Sequence, residues 1–128
     1  MKLYRIILPV DNIDKAVQFY SSIFEEKGIR VSVNRHYFNL GGIILALMKP
    51  EVVNENGNRT WKFHENQNIY IAVNDLDSVY ERTKKAGCKY LGEIEKMPWG
   101  EKLFYAHDCF DNPICFVDEK SIFTGQRT

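Results

Sequence analysis

The sequence predicts an α+β fold: two tandem βαβββ modules forming a cupped eight-stranded mixed sheet, with the helices on its outer face. Three observations predict it. First, RIILPVDNIDKAVQFY is echoed by NIYIAVNDLDSVYERT, so that Val10 falls on Val73, Ile13 on Leu76 and Asp14 on Asp77, a constant offset of 63 in a chain of 128 residues. Repetition on that scale makes each half one structural unit. Second, each copy passes from a strand-like apolar segment to a helical stripe with apolar residues three and four apart. Third, three more short strand-like runs follow each stripe, separated by turn residues.

In chain order, Leu3 to Val10 is apolar and rich in β-branched residues, as a buried strand requires. Asn12 is placed to cap the helix that follows, and Ile13, Ala16, Val17, Tyr20, Ile23 and Phe24 form its apolar stripe. Gly28 is the expected stop. Ile29 to Val33, Tyr37 to Leu40 and Ile43 to Met48 read as strands, with Gly41-Gly42 as a tight turn between the last two. In the second copy Ile69 to Val73 is a strand, Asp75 the cap, Leu76, Val79, Tyr80, Thr83 and Ala86 the stripe, and Gly87 the stop. Strands are expected at Lys89 to Glu95, Leu103 to His107 and Ile114 to Val117. The modules are thus about 1–50 and about 67–120, and the polar stretch between them, about 51–66, is a linker. All of it makes one domain.

Strand parity divides the side chains between two faces. Ile6, Leu8 and Val10 are expected beneath the first helix, and Ile69, Ile71 and Val73 beneath the second. Arg5, Ile7 and Pro9, with Ile44, Ala46 and Met48, then face a trough shared by the modules. Asn68, Tyr70 and Ala72, with Pro113, Cys115 and Val117, face it from the second module.

Lys plus Arg and Asp plus Glu number 17 each. That balance gives no sign of nucleic acid or an anionic membrane as a global partner. The apolar runs are far short of the ~20 residues that span a bilayer, and the N-terminal segment has the alternation of a strand, without the features of a signal peptide. Three cysteines without CxxC spacing suit a reducing, cytoplasmic setting.

Three motifs, LPVDNIDKAVQFYSSIF, AVNDLDSVYERTKKAG and PWGEKLFYAHDCFDNPICF, resemble the vicinal oxygen chelate superfamily of glyoxalases, bleomycin-resistance proteins and extradiol dioxygenases. The last motif matches a turn usually written Asp-Pro-Asp-Gly-Asn. Asp108 and Asn112 are kept, while Cys109 and Asp111 stand at the Pro and Gly positions. Asp tolerates the left-handed backbone that the Gly position requires. The resemblance implies a homodimer and a metal site with one ligand, usually His, Glu or Gln, His and Glu, from each of four trough strands. By position these fall on Arg5, Ala46, Asn68 and Cys115. A guanidinium offers no lone pair, alanine offers nothing, and an amide carbonyl and a lone thiol do not make a site. A member with no metal and no cofactor is therefore expected.

Each candidate residue has two readings. Arg5 holds an anionic ligand group or makes an internal or subunit-interface salt bridge. Asn68 orients a ligand or is a structural amide. Cys115 is a reactive thiol near Arg5 or a small core residue. His107 is an acid–base group at the trough mouth or a strand-end residue without a visible partner. Phe38, Trp61, Tyr70, Trp99 and Tyr105 line an aromatic pocket or pack the fold. No catalytic set can be assembled from these residues. The expected function is a metal-free small-molecule-binding protein, its ligand anionic or neutral with an apolar or aromatic part. The alternative is a metal-dependent lyase, isomerase, dioxygenase or thiol transferase using other ligands, such as His36 and His107 with a carboxylate.

Overall fold

A computed structural model of the chain describes residues 1–50, 64 and 66–125. The expected linker lies almost wholly outside these residues. The chain divides into two compact units, Met1–His64 and Glu65–Thr128.

In the first unit, β1 (Arg5–Pro9) leads into α1 (Ile13–Phe24), followed by β2 (Ile29–Ser32), β3 (Arg35–Leu40) and β4 (Ile43–Met48). The sheet order is β1-β4-β3-β2, with β1 parallel to β4 and the other pairs antiparallel. Asn12 caps α1, its side-chain oxygen accepting the Lys15 N–H at 3.0 Å. The expected stop at Gly28 is corrected. Glu25 ends the helix in the left-handed conformation, at φ 56°. Gly28 serves the close approach of the chain to β3, where a Cβ would stand 2.7 Å from both the His36 Nε2 and the Tyr37 carbonyl oxygen. Gly41 and Gly42, at φ 63° and 97°, close the β3–β4 hairpin and pair Leu40 with Ile43.

The second unit repeats the topology. It comprises β5 (Ile69–Val73), α2 (Leu76–Ala86), β6 (Tyr90–Leu91), β7 (Glu95–Lys96), β8 (Lys102–His107) and β9 (Pro113–Asp118), followed by a 3₁₀ turn at Glu119–Ser121. The order is β5-β9-β8-β6, and β7 also pairs with β8. Asp75 caps α2 through the Ser78 N–H at 3.1 Å, and Gly87 ends it at φ 89°.

The described fold is thus α+β with two helices and sheets of four and five strands. The extra strand arises because the expected strand at Lys89 to Glu95 is split. Leu91 pairs with Ala106 and Glu95 with Leu103, so four steps on one strand (91 to 95) oppose three on the other (106 to 103). One surplus residue makes a bulge. Gly92 sits within it and donates its N–H to the Tyr105 carbonyl at 2.8 Å.

Each helix covers one face of its own sheet. Beneath α1, Phe38 is fully buried with its ring 5.2 Å from that of Phe24, beside Leu8, Leu45 and Leu47. Beneath α2, Tyr80 meets Phe104 edge-on at 5.0 Å, and Phe104 meets Phe116 at 5.4 Å. The β8–β9 turn is built on the buried Asp108. Its carboxylate accepts the Phe110 and Asn112 backbone N–H groups at 2.8 Å each and the Asn112 side-chain amide at 3.0 Å. Asp111 takes the left-handed position as expected, at φ 68°.

Candidate functional site

Register decides which side chains meet on the face of the first sheet away from α1. Ile7 and Tyr37 both pair with Ala46, while Arg5 pairs with Ile44 and Arg35 with Met48. Parity therefore puts Arg5, Arg35, Tyr37 and Ala46 on one face. Arg5 crosses the fully buried Ala46 and donates from Nη1 to the Tyr37 hydroxyl at 2.7 Å. Arg35 donates from Nη1 to the same oxygen at 3.0 Å. The Arg5 guanidinium also lies over the rings of Tyr4 and Tyr37, 5.3 and 5.5 Å from their centroids. Among the described residues neither guanidinium is paired with a carboxylate. Desolvation raises the pKa of Tyr37, but the hydrogen bonds and positive charges of Arg35 and Arg5 outweigh it, and the phenol titrates below its ordinary value.

Phe38, expected in the trough, is corrected. It pairs with Leu45 and lies beneath α1, on the opposite face from Arg5. The sequence contained the signal, because a two-residue hairpin at Gly41-Gly42 sets Tyr37 across from Ala46 and so turns Phe38 away. Tyr37 and Arg35 were missed for the same reason. His36 shares the Phe38 face, buried, with Nε2 2.8 Å from the Lys27 carbonyl. Among the described residues its buried Nδ1 has no hydrogen-bond partner.

In the second sheet Tyr70, Tyr105, His107 and Cys115 share the face away from α2. Tyr70 and Tyr105 both pair with Cys115, and His107 pairs with Pro113. This face is closed at its centre. Cys115, Leu103 and Val117 are buried together, with Met97 and Tyr105 packed against them. Burial pushes the Cys115 thiol up to about 12, with a smaller contribution from the Glu101 charge, so it is a neutral core thiol at physiological pH. This burial favours the core reading of Cys115 over the reactive thiol. The hydroxyls of Tyr70 and Tyr105 lie 3.4 Å apart. This hydrogen bond, with burial second, raises the Tyr105 pKa.

His107 does have a partner. Its Nδ1 lies 2.7 Å from the Asp111 carboxylate, and its ring leans on Tyr90 at 5.3 Å. Asn68 is half-buried just ahead of β5. Trp99 is exposed in the turn before β8 and donates to Glu101 at 2.7 Å, which ties it to its own loop. Trp61 lies outside the described residues.

The sequence pattern of the Glyoxalase/Bleomycin resistance protein/Dioxygenase superfamily matches residues 2–116. The chain belongs to this superfamily. It is 31% identical over 101 residues to metallothiol transferase FosB of Shouchella clausii, covering 77% of this chain and 67% of that protein. Among solved structures it is similar in fold to a glyoxalase-related enzyme from Fulvimarina pelagi, with a TM-score of 0.74 at 15% identity over 92% of this chain and 88% of that one. A glyoxalase/bleomycin resistance protein from Albidiferax ferrireducens gives a TM-score of 0.72 at 15% identity over 90% and 97%.

The superfamily's metal does not fit the residues at the corresponding positions. Arg5 is a cation anchored on a phenol, Ala46 has no donor atom, and the Cys115 thiol is held protonated by burial. Among the described residues no three of His, Cys, Asp and Glu are grouped so as to hold a metal ion. His36, on the helix side of its sheet, is directed to a backbone carbonyl.

Proposed function

We propose that this chain is a superfamily member that binds a small molecule without a metal, the ligand being anionic or neutral with an apolar or aromatic part. The observation that carries the reading is the chemistry of Arg5. At a position where the superfamily usually places a metal ligand, a permanent cation is held on Tyr37 and is unpaired with any described carboxylate. A fixed positive charge opposes a divalent cation and favours an anion. The exposed Tyr4, whose ring lies against the Arg5 guanidinium, offers aromatic surface to the remainder of a ligand.

A second reading, a metal-dependent transferase, is favoured by the 31% identity to the metallothiol transferase. Elemental analysis of purified protein, followed by calorimetric titration with Zn²⁺, Mn²⁺ and Ni²⁺, separates the two. The metal-free reading expects no stoichiometric metal and no saturable uptake. A tightly held equivalent of any of the three would overturn it. The same proposal includes a homodimer in the cytoplasm. No disulfide joins the cysteines, and light scattering of the purified chain checks the dimer.

A further inference from the structure

We propose that Arg5 and Arg35, braced on the Tyr37 hydroxyl, form a two-pronged site for the oxyanion group of a ligand, a carboxylate or a phosphate. The inference deepens the metal-free reading and rests on it.

The two cations come from different strands and converge on one oxygen, at 2.7 and 3.0 Å. Strands β1 and β3 are separated by β4, so Arg5 reaches across about 10 Å of sheet. The small Ala46 beneath leaves the path clear. A guanidinium carries five N–H donors in a fixed plane. Among the described residues the hydrogen bond to Tyr37 is the one each makes, leaving most of both forks for another acceptor. The aromatic rings of Tyr4 and Tyr37 against Arg5 fix its plane before any ligand arrives, which lowers the ordering cost of binding. Two like charges on one phenol repel, and an oxyanion shared between them relieves that repulsion through charge-assisted hydrogen bonds.

Tyr37 then couples the site to pH. Arg5 faces it from β1 and Arg35 from its own strand. The neighbours on this face from β4 (Ile44, Ala46 and Met48) and from β2 (Ile29) carry no charge. Once ionised, the phenolate is itself an anion on the same donors and competes with the ligand. Affinity therefore falls as pH rises through the Tyr37 pKa, which lies below 10.0.

The test titrates the full chain with inorganic phosphate and, separately, with benzoate, followed by calorimetry and by NMR of tyrosine labelled at the ζ-carbon. At least one probe should saturate a single site, and the tighter of the two identifies the ligand class. Arg5→Gln and Arg35→Gln should each weaken it about tenfold or more. Arg5→Lys, which keeps the charge and loses the fork, should fall between. Wild-type affinity should drop as pH rises toward the ordinary phenol value of about 10, and Tyr37→Phe should abolish that drop. In the wild type the Tyr37 resonance should move with probe. Thermal melts of each variant confirm folding, and the Tyr37 shift in the wild type stands as evidence if a variant fails to fold. Wild-type protein that saturates with neither probe would overturn the site, as would affinity unchanged in the Arg5→Gln/Arg35→Gln double variant. Elemental analysis of the same samples keeps the two levels apart. A stoichiometric metal overturns the metal-free reading, whereas metal-free protein that ignores both probes overturns only the clamp.

Discussion

Tyr37 and Tyr105 hold the same place in the two repeats. In the first sheet the cross-strand row is Ile7, Ala46 and Tyr37. In the second it is Tyr70, Cys115 and Tyr105. Both tyrosines project from the face away from their helix, yet their proton affinities are displaced in opposite directions. Arg5 and Arg35 stabilise the anionic form of Tyr37 and lower its pKa. Tyr105 bonds to the neutral hydroxyl of Tyr70, lies against the buried cluster around Cys115 and has its pKa raised. Duplication preserved the backbone and changed the neighbours. An alanine between the outer strands lets an arginine cross the first face. A cysteine packed with Leu103, Val117 and Met97 closes the second. One repeat therefore carries two cations on this face and the other an apolar cluster at its centre.

Placing a charge in the second row breaks the comparison most strongly. Cys115→Glu would restore a carboxylate at the superfamily's position, but within a fully buried cluster. Burying an unpaired charge should cost about 3–5 kcal/mol, visible as a lowered urea midpoint. A stable, metal-binding Cys115→Glu protein would show that the second face is not closed. The hairpins differ next. The β3–β4 turn relies on two glycines and the β8–β9 turn on a buried carboxylate. Asp108→Ala leaves three N–H groups without their acceptor and should cost about 2–3 kcal/mol by the same measurement.

The tyrosines themselves give smaller effects of opposite sign. Because the folded-state pKa of Tyr105 is raised, its contribution is fully present below the unfolded value near 10.0 and is lost as pH rises through the folded value. Tyr105→Phe should flatten the alkaline loss of stability. The folded-state pKa of Tyr37 is lowered, so its contribution is present above the unfolded value and is lost as pH falls through the folded one. Tyr37→Phe should steepen the alkaline loss. Denaturation midpoints measured from pH 8 to about pH 11 compare them, and slopes of the same sign would dissolve the contrast. Smallest of all is Arg5→Gln, a change at an exposed side chain. Its melting temperature should stay close to wild type, while the Tyr37 ζ-carbon titration moves upward toward the ordinary phenol value.

The repeat, both helix caps, the Gly87 stop and the left-handed Asp111 were legible in the sequence because each depends on residues within a few positions of one another. Strand parity was legible too, and it placed Arg5 and Ala46 on the face away from α1 and Tyr70 and Cys115 on the face away from α2. It failed at Phe38, where parity was not carried through the Gly41-Gly42 hairpin, and at Lys89 to Glu95, where one surplus residue splits the strand.

What the sequence determined by itself is therefore the order of the elements and the side of the sheet on which most residues stand. Tertiary structure alone decided which side chains meet. Arg5 and Tyr37 are 32 positions apart, and nothing local to either names the other. They meet because two strands pair in one register across Ala46. The same holds for Cys115, whose chemistry was fixed by the atoms packed over it. Alternation along a strand is a local rule, whereas contact and desolvation follow from pairing across the sheet.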